Sequence, residues 1–326
     1  MRRWWWLLLL VGLLIPGHRV LAEGAGFTVT PELSDDQLGG DTGWFNLLVT
    51  PGQKQELTVE VDNQSDQTKR LRLSLTNAFT QDNGQVGYEP SQRKDASAKV
   101  QLTAIGSKPI TIDLAAHQGR KVTFQITPPA GGFAGQVLGA VYVKDLTEPS
   151  ETSGNGFAVT NQFAMVVAVQ LQTSATLVPP ALHLLSVKAK ADCVQATIQN
   201  AAPRLFGKLS LRAQVLPAGQ TKPVYQQKNN NYAMAPNSAF NYQLAPPKGL
   251  AAGKYQLVID AAAGSYKWHF TKQFTVKAAI AARAPVTAAI QQTGSVWWPW
   301  AIALVAMLLI GMLIGWWRGR RQSDGR

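Results

Sequence analysis

The feature that most constrains this chain is a two-residue alternation of apolar and polar side chains, repeated in short runs that turn residues cut off. In "FNLLVTPGQKQELTVEVDNQS" (45–65), Leu57, Val59 and Val61 alternate with Thr58 and Glu60. Pro51-Gly52 stands before the run and Asp62-Asn63 ends it. Successive strand side chains point to opposite faces, so this period describes a strand buried on one side. Its apolar face needs a second sheet over it. The same pattern recurs at Leu71, Leu73 and Leu75, interleaved with Arg70, Arg72 and Ser74, and at Val122, Phe124 and Ile126 in "RKVTFQITPP".

Across 27–146 the alternation predicts strands at 27–30, 44–49, 54–63, 69–77, 110–114, 121–127 and 135–144, with an Asp-Asn-Gly turn in "QDNGQVGY". Short strands at this spacing, with no periodic helix between them, predict an immunoglobulin-like sandwich. The small polar run "TEPSETSGNG" (147–156) reads as a linker. A second block of strands, at 157–172, 182–190, 194–199, 208–215, 239–244, 255–260 and 267–276, predicts a second sandwich over 157–277. The fold class expected is therefore all-β, with two tandem immunoglobulin-like β-sandwiches. "VYQQKNNNYAMAPNSAF" reads as a polar turn running into Tyr232, Met234 and Pro236, which either stand exposed or cover a sandwich edge. The Ala-rich stretch 278–296 has no clear core face and reads as a spacer.

The two ends carry different signals. Arg2-Arg3, an apolar run from Trp4 to Ile15 and the small residues Val20 and Ala22 fit a signal peptide over 1–22, cleaved after Ala22; an uncleaved anchor is the alternative. Residues 297–317 contain no charge and suffice for a helix across about 30 Å of hydrocarbon. Trp297, Trp298 and Trp300 mark one end and Trp316 and Trp317 the other. Arg318, Arg320 and Arg321 then place the tail, 318–326, in the cytoplasm. The expected arrangement is a single-pass type I membrane protein with both sandwiches outside the membrane.

The net charge of +12 hides an asymmetry. Residues 27–146 hold 11 Lys/Arg against 13 Asp/Glu, a net of −2, whereas 157–283 hold 13 against only Asp192 and Asp260, a net of +11. Such a split suggests different partners for the two parts. For an exported basic module, anionic wall polymers, lipid headgroups or acidic proteins are expected in place of nucleic acid; lysines kept for solubility are the other reading. The single cysteine, Cys193, sits at an alternating position and reads as a small buried hydrophobe, with a redox role as the alternative.

Catalytic signatures are absent at the level of motif. His117, His183 and His269 stand far apart, no paired Cys motif occurs, and "GGFAG" (131–135) lacks a nucleophilic serine. The expectation is no enzyme, no cofactor, no metal, and a partner-binding site at unassigned residues. Asn63-Gln64-Ser65 matches a glycosylation sequon but falls where a strand ends.

The chain resembles the WxL-interacting proteins of Gram-positive bacteria over nearly its whole length. In the first half the resemblance lies in "FTVTPE", "WFNLLVTPGQKQELTVEVDNQS", "TNAFTQDNGQVGY" and "ITPPAGGFAGQVLGAVYVKD". In the second it lies in "NQFAMVVAVQLQ", "YAMAPNSAFNYQL" and "LAAGKYQLVIDAAAGSYKWHFTKQFTV". Asn46 departs from it, standing where the family carries Asp after an aromatic pair, and residues 91–110 match weakly. The resemblance implies a non-catalytic surface scaffold: a peptidoglycan-associating first domain and a second that binds host extracellular matrix protein. Secreted WxL-domain proteins would be partners. A membrane-tethered assembly chaperone, lending a strand to its clients, is the competing reading.

Overall fold

In a computed structural model, residues 24–147 and 162–281 are described. The expected signal peptide (1–22), the membrane helix (297–317), the basic tail and most of the 147–156 stretch lie outside them. The described chain is all-β, and its strands gather around two separate apolar cores.

In the first module, β1 (Phe27–Glu32), β3 (Gln55–Asn63) and β8 (Gly119–Ile126) form a three-stranded sheet in the order β1-β3-β8. The facing sheet has five strands. Its members are β2 (Phe45–Leu48), β4 (Lys69–Asn77), β7 (Ile110–Leu114), β9 (Gln136–Asp145) and β10 (Ala164–Gln172), in the order β2-β10-β9-β4-β7. The alternating residues anticipated from sequence point inward. Leu57, Val59 and Val61 of β3 meet Leu71 and Leu73 of β4 and Phe124 of β8, all buried in one cluster. Each such aliphatic side chain removed from water stabilises the fold by about 1.5–3 kcal/mol. A short hairpin, β5 (Phe79–Thr80) and β6 (Val86–Gly87), projects after β4, and one helical turn, α1 (Leu102–Ile105), buries Leu102 in the same core.

The second module repeats the plan. β11 (Leu182–Ala189), β12 (Val194–Asn200) and β15 (Ser238–Leu244) make a three-stranded sheet ordered β11-β12-β15. The facing sheet joins β13 (Phe206–Pro217), β14 (Tyr225–Met234), β16 (Gly253–Ala263) and β17 (Tyr266–Val276) in the order β14-β13-β16-β17. Its core includes Ile198, Leu211, Phe240, Tyr242, Leu257 and Phe274.

Three expectations need correction. First, β10, assigned from sequence to the second module, pairs along its whole length with β9 and in parallel with β2, and buries Val167, Val169 and Leu171 in the first core. Two apolar strands with a polar stretch between them read as two domains, but antiparallel neighbours of one sheet share that pattern. Second, the stretch 147–156 therefore connects adjacent strands of one sheet, Lys144 lying opposite Ala164, and the passage between modules falls at 173–181. Third, "YQQKNNNYAM" is β14 rather than a turn. It is an edge strand whose solvent face is filled by Gln, Lys and Asn, so it lacks the apolar alternation that would reveal it. Where the spacer begins, Ala278–Ala281 forms one helical turn, α2, with Ile280 and Ala281 against the second core.

Candidate binding site

The residues singled out from sequence serve mainly to hold the architecture. Asn63, the sequon asparagine, is buried, and its amide donates to the carbonyls of Gln67 (2.7 Å), Leu114 (3.2 Å) and Ala115 (2.8 Å). Its Oδ1 accepts from the Ser65 backbone N–H and hydroxyl, so the side chain knots the end of β3 and is fully used. Asn46, the departure from the family pattern, donates to the Leu38 carbonyl (2.9 Å) and accepts from the Gln170 amide (2.8 Å). An aspartate there would lose the donor to Leu38. His117 meets Asp66 at 2.9 Å and His269 meets Asp260 at 2.7 Å, both pairs exposed. His183 lies on β11, apart from both. Among the described residues no group of His, Cys, Asp and Glu could hold a metal. Cys193 is buried, and burial followed by the nearby Asp192 pushes its thiol above the usual range, the opposite of an activated thiolate.

Tyr232 and Met234 turn out to stand where the two modules meet. Met234 is fully buried in the second core, and Tyr232, half-buried, packs edge-on to Phe240 and Tyr242. The β5–β6 hairpin of the first module lies against them. Ala233 N–H donates to the Gly84 carbonyl (2.8 Å), Ala235 N–H to Thr80 Oγ1 (3.1 Å), and Thr80 N–H to the Ser238 hydroxyl (2.7 Å). Asn241 N–H donates to Asp82 (3.0 Å), the Gln199 amide to both oxygens of Asp95 (2.8 and 2.9 Å), and the Asn237 amide to Ser97 (3.0 Å to the hydroxyl). Farther along, Gln136 exchanges bonds with Pro203 and Leu205, both at 2.7 Å. The "YAMAPNSAF" box and the "QDNG" turn are thus two halves of one interlocked junction. Gly84 makes it possible: φ is +77° there, and a Cβ would overlap the Tyr232 ring. Gly135, at φ +67°, brings the chain equally close to the Pro203 carbonyl.

A cleft of about 340 Å³ runs along this junction between 93–101 and 236–241, but its polar groups largely satisfy one another. On the other side of the 90–101 segment lies a larger groove of about 530 Å³, over the outer face of β4 and β9. Arg72, Lys144, Arg93, Lys94 and Tyr142 line it, and its lining contains no carboxylate. Arg93 is occupied, binding Asp82 at 3.1 Å and the Thr80 carbonyl at 3.0 Å while its guanidinium lies 5.1 Å from the Phe79 ring centre. Arg72 and Lys144 sit directly opposite each other on neighbouring strands, with no ion pair to either among the described residues. Tyr142, facing Ser74 two residues along, has its phenol pushed up by burial and by Glu89, which keeps it neutral. Sequence reasoning assigned no partner-binding residues; the signal available was Arg72 in the polar phase of β4, which alternation alone cannot distinguish from a solvated position.

Two locked β modules, one bearing an open cationic groove, are the frame of a binding protein. Residues 27–145 match the peptidoglycan binding domain of WxL Interacting Protein, and residues 154–284 match its host binding domain. The chain belongs to the WxL-interacting protein family, with both domains in the expected order. The second match begins before β10, which the structure builds into the first module. No curated protein matches the chain. Similar solved structures include a PapD-like domain of human CEP192 (13% identity, 48% of this chain and 93% of that one, TM-score 0.28). The YadV chaperone (9%, 77% and 100%, 0.32) and the CupB2 chaperone of Pseudomonas aeruginosa (12%, 70% and 96%, 0.30) are others.

Proposed function

We propose that this protein is a non-catalytic surface scaffold, held to the membrane by a helix over 297–317 after removal of a signal peptide at 1–22. Its two modules are immunoglobulin-like sandwiches lying outside the membrane on the wall side. The first associates with peptidoglycan; the second binds a host extracellular matrix protein or the WxL domain of a secreted partner. The observation that carries this reading is the pair of family domains, both of them binding domains, in sequence order along one chain. The interlocked junction supports it further, because a platform joining a wall polymer to a protein partner must transmit load between its halves without hinging.

The test uses the full chain in detergent, mixed with purified peptidoglycan, with an immobilised matrix protein and with a WxL-domain protein. Sedimentation with peptidoglycan and capture by at least one of the two proteins are expected. A chain that stays in the supernatant and is captured by neither overturns the reading. Tethering is tested separately: on intact protoplasts, external protease should remove both modules and leave a C-terminal epitope protected. Cleavage of that epitope from outside would reverse the orientation.

A further inference from the structure

The groove over β4 and β9 has the chemistry of an anion site on a module whose balance is acidic. Residues 27–146 carry a net −2, yet the groove lining gathers Arg72, Arg93, Lys94 and Lys144 without an aspartate or glutamate. Four of the module's eleven Lys/Arg thus line one groove.

Arg72 and Lys144 make the stronger point. They face each other across β4 and β9, and like charges placed directly opposite destabilise a sheet. The flanking strands offer no relief, since Arg72 lies opposite Thr111 and Lys144 opposite Ala164. The one carboxylate on β7, Asp113, goes to Arg70 at 3.9 Å. Glu89, beside the groove, is engaged by the Gln81 amide at 3.2 and 3.4 Å. The second module supplies the contrast. There Arg212 also faces a lysine, Lys228, but on its other side it faces Asp260, which in turn meets His269. In the second module the register thus sets one carboxylate beside the opposed cations; in the acidic module, among the described residues, it sets none.

We infer that this groove takes the carboxylate-bearing stem peptide of peptidoglycan, with Arg72 and Lys144 receiving a carboxylate between them, Lys94 at the rim reaching a second, and the Tyr142 ring giving the adjoining sugar or methyl groups a flat apolar wall. The inference rests on the peptidoglycan reading above and specifies where and by what chemistry it is met. A planar guanidinium beside an ammonium suits a carboxylate, the arginine by paired N–H donors and the lysine as a point charge. At about 530 Å³ the groove is large enough for several residues of such a peptide. Wall polymers also carry phosphates; the inference commits to carboxylate.

The experiment compares the full chain in detergent with its Arg72→Glu/Lys144→Glu variant and with a control, Lys54→Glu/Lys108→Glu, which reverses two exposed charges outside the groove. Each is sedimented with peptidoglycan stripped of teichoic acid, with the same material after its carboxyls are converted to amides, and with unstripped walls. Loss of two ligand-facing charges should weaken binding to stripped peptidoglycan about tenfold or more. The control should bind as the parent does, and amidation should reproduce the loss for the parent protein. Melting temperature should not fall in the groove variant, because the opposed like charges persist only with inverted sign. Undiminished binding by the groove variant overturns the site while leaving the peptidoglycan reading intact. Parent binding that survives amidation, or that requires teichoic acid, overturns the carboxylate assignment. Failure of the parent to sediment with any wall material fails the underlying reading instead.

Discussion

The two modules of this protein are built on one plan and finished for different ends. In each, the second strand of the three-stranded sheet terminates in a buried asparagine that ties off the following turn: Asn63 after β3, Asn200 after β12. Asn200 donates to the carbonyls of Arg204 (2.8 Å) and Ala235 (3.0 Å) and accepts from Ala181 and Ala202, much as Asn63 binds Gln67, Leu114 and Ala115. A buried amide that satisfies several backbone groups at once fixes the chain where no sheet ladder can. The modules part company at the surface. The first is acidic, with four of its eleven Lys/Arg lining one groove, and the second is basic, with Asp260 set beside Arg212 in its central row. The lesson is that shared interior polar residues carry the fold, while the modules differ in which charges their strand register sets side by side.

The comparison can be broken most forcefully at the asparagines. Asn63→Ala and Asn200→Ala should each destabilise their own module by about 3 kcal/mol, since each leaves a buried carbonyl, that of Leu114 or Ala235, without the amide it accepts from. Calorimetry on the full chain would read this as a lowered joint transition. A loss below about 1 kcal/mol at only one position would mean that the two knots are not equivalent.

The junction sharpens it next. Gly84→Val should cost about 2–4 kcal/mol of coupling between the modules, combining an unfavourable positive φ with overlap on the Tyr232 ring. A melting profile that changes from one joint transition to two separate ones is the expected signature. An unchanged profile would show that the modules do not depend on the β5–β6 hairpin.

The smallest effect expected is one of pH. Burial alone would push the Asp145 carboxyl up, but the Lys69 ammonium at 2.8 Å and the Thr147 hydrogen bonds outweigh it and hold the group below its usual range. A depressed folded-state pKa means that the unfolded chain takes up the proton first as pH falls. The contribution is therefore present above the unfolded value of about 3.9 and is lost on acidification through the folded one. Asp145→Asn should flatten the acid limb of the first module's stability, by less than about 1 kcal/mol, and leave the second module's unchanged. An acid limb as steep in the variant as in the parent would remove Asp145 as its cause.

Much of the fold was readable along the chain. The strands at Lys69–Asn77 and Ile110–Leu114 occupy the anticipated residues, and most others lie within a few residues of theirs. The misses have a common physical character. β14 is an edge strand with Gln, Lys and Asn outward, so no apolar period marks it, and β10 has the right period but the wrong neighbours. The groove was not legible either. Arg72 and Lys144 are seventy-two positions apart in sequence, and only their register across β4 and β9 sets them face to face.

What the sequence determined by itself was the local rule: alternation dictates which side chains turn inward, because strand geometry sends successive residues to opposite faces whatever the partner strand. Its domain motifs also carried the family. Tertiary structure alone decided which strands pair, where one module ends and the next begins, and which charges are left without a counterpart. Those depend on contacts between residues distant in the chain, and a hydrogen-bonded ladder or an opposed pair of cations exists only once both members have been brought together.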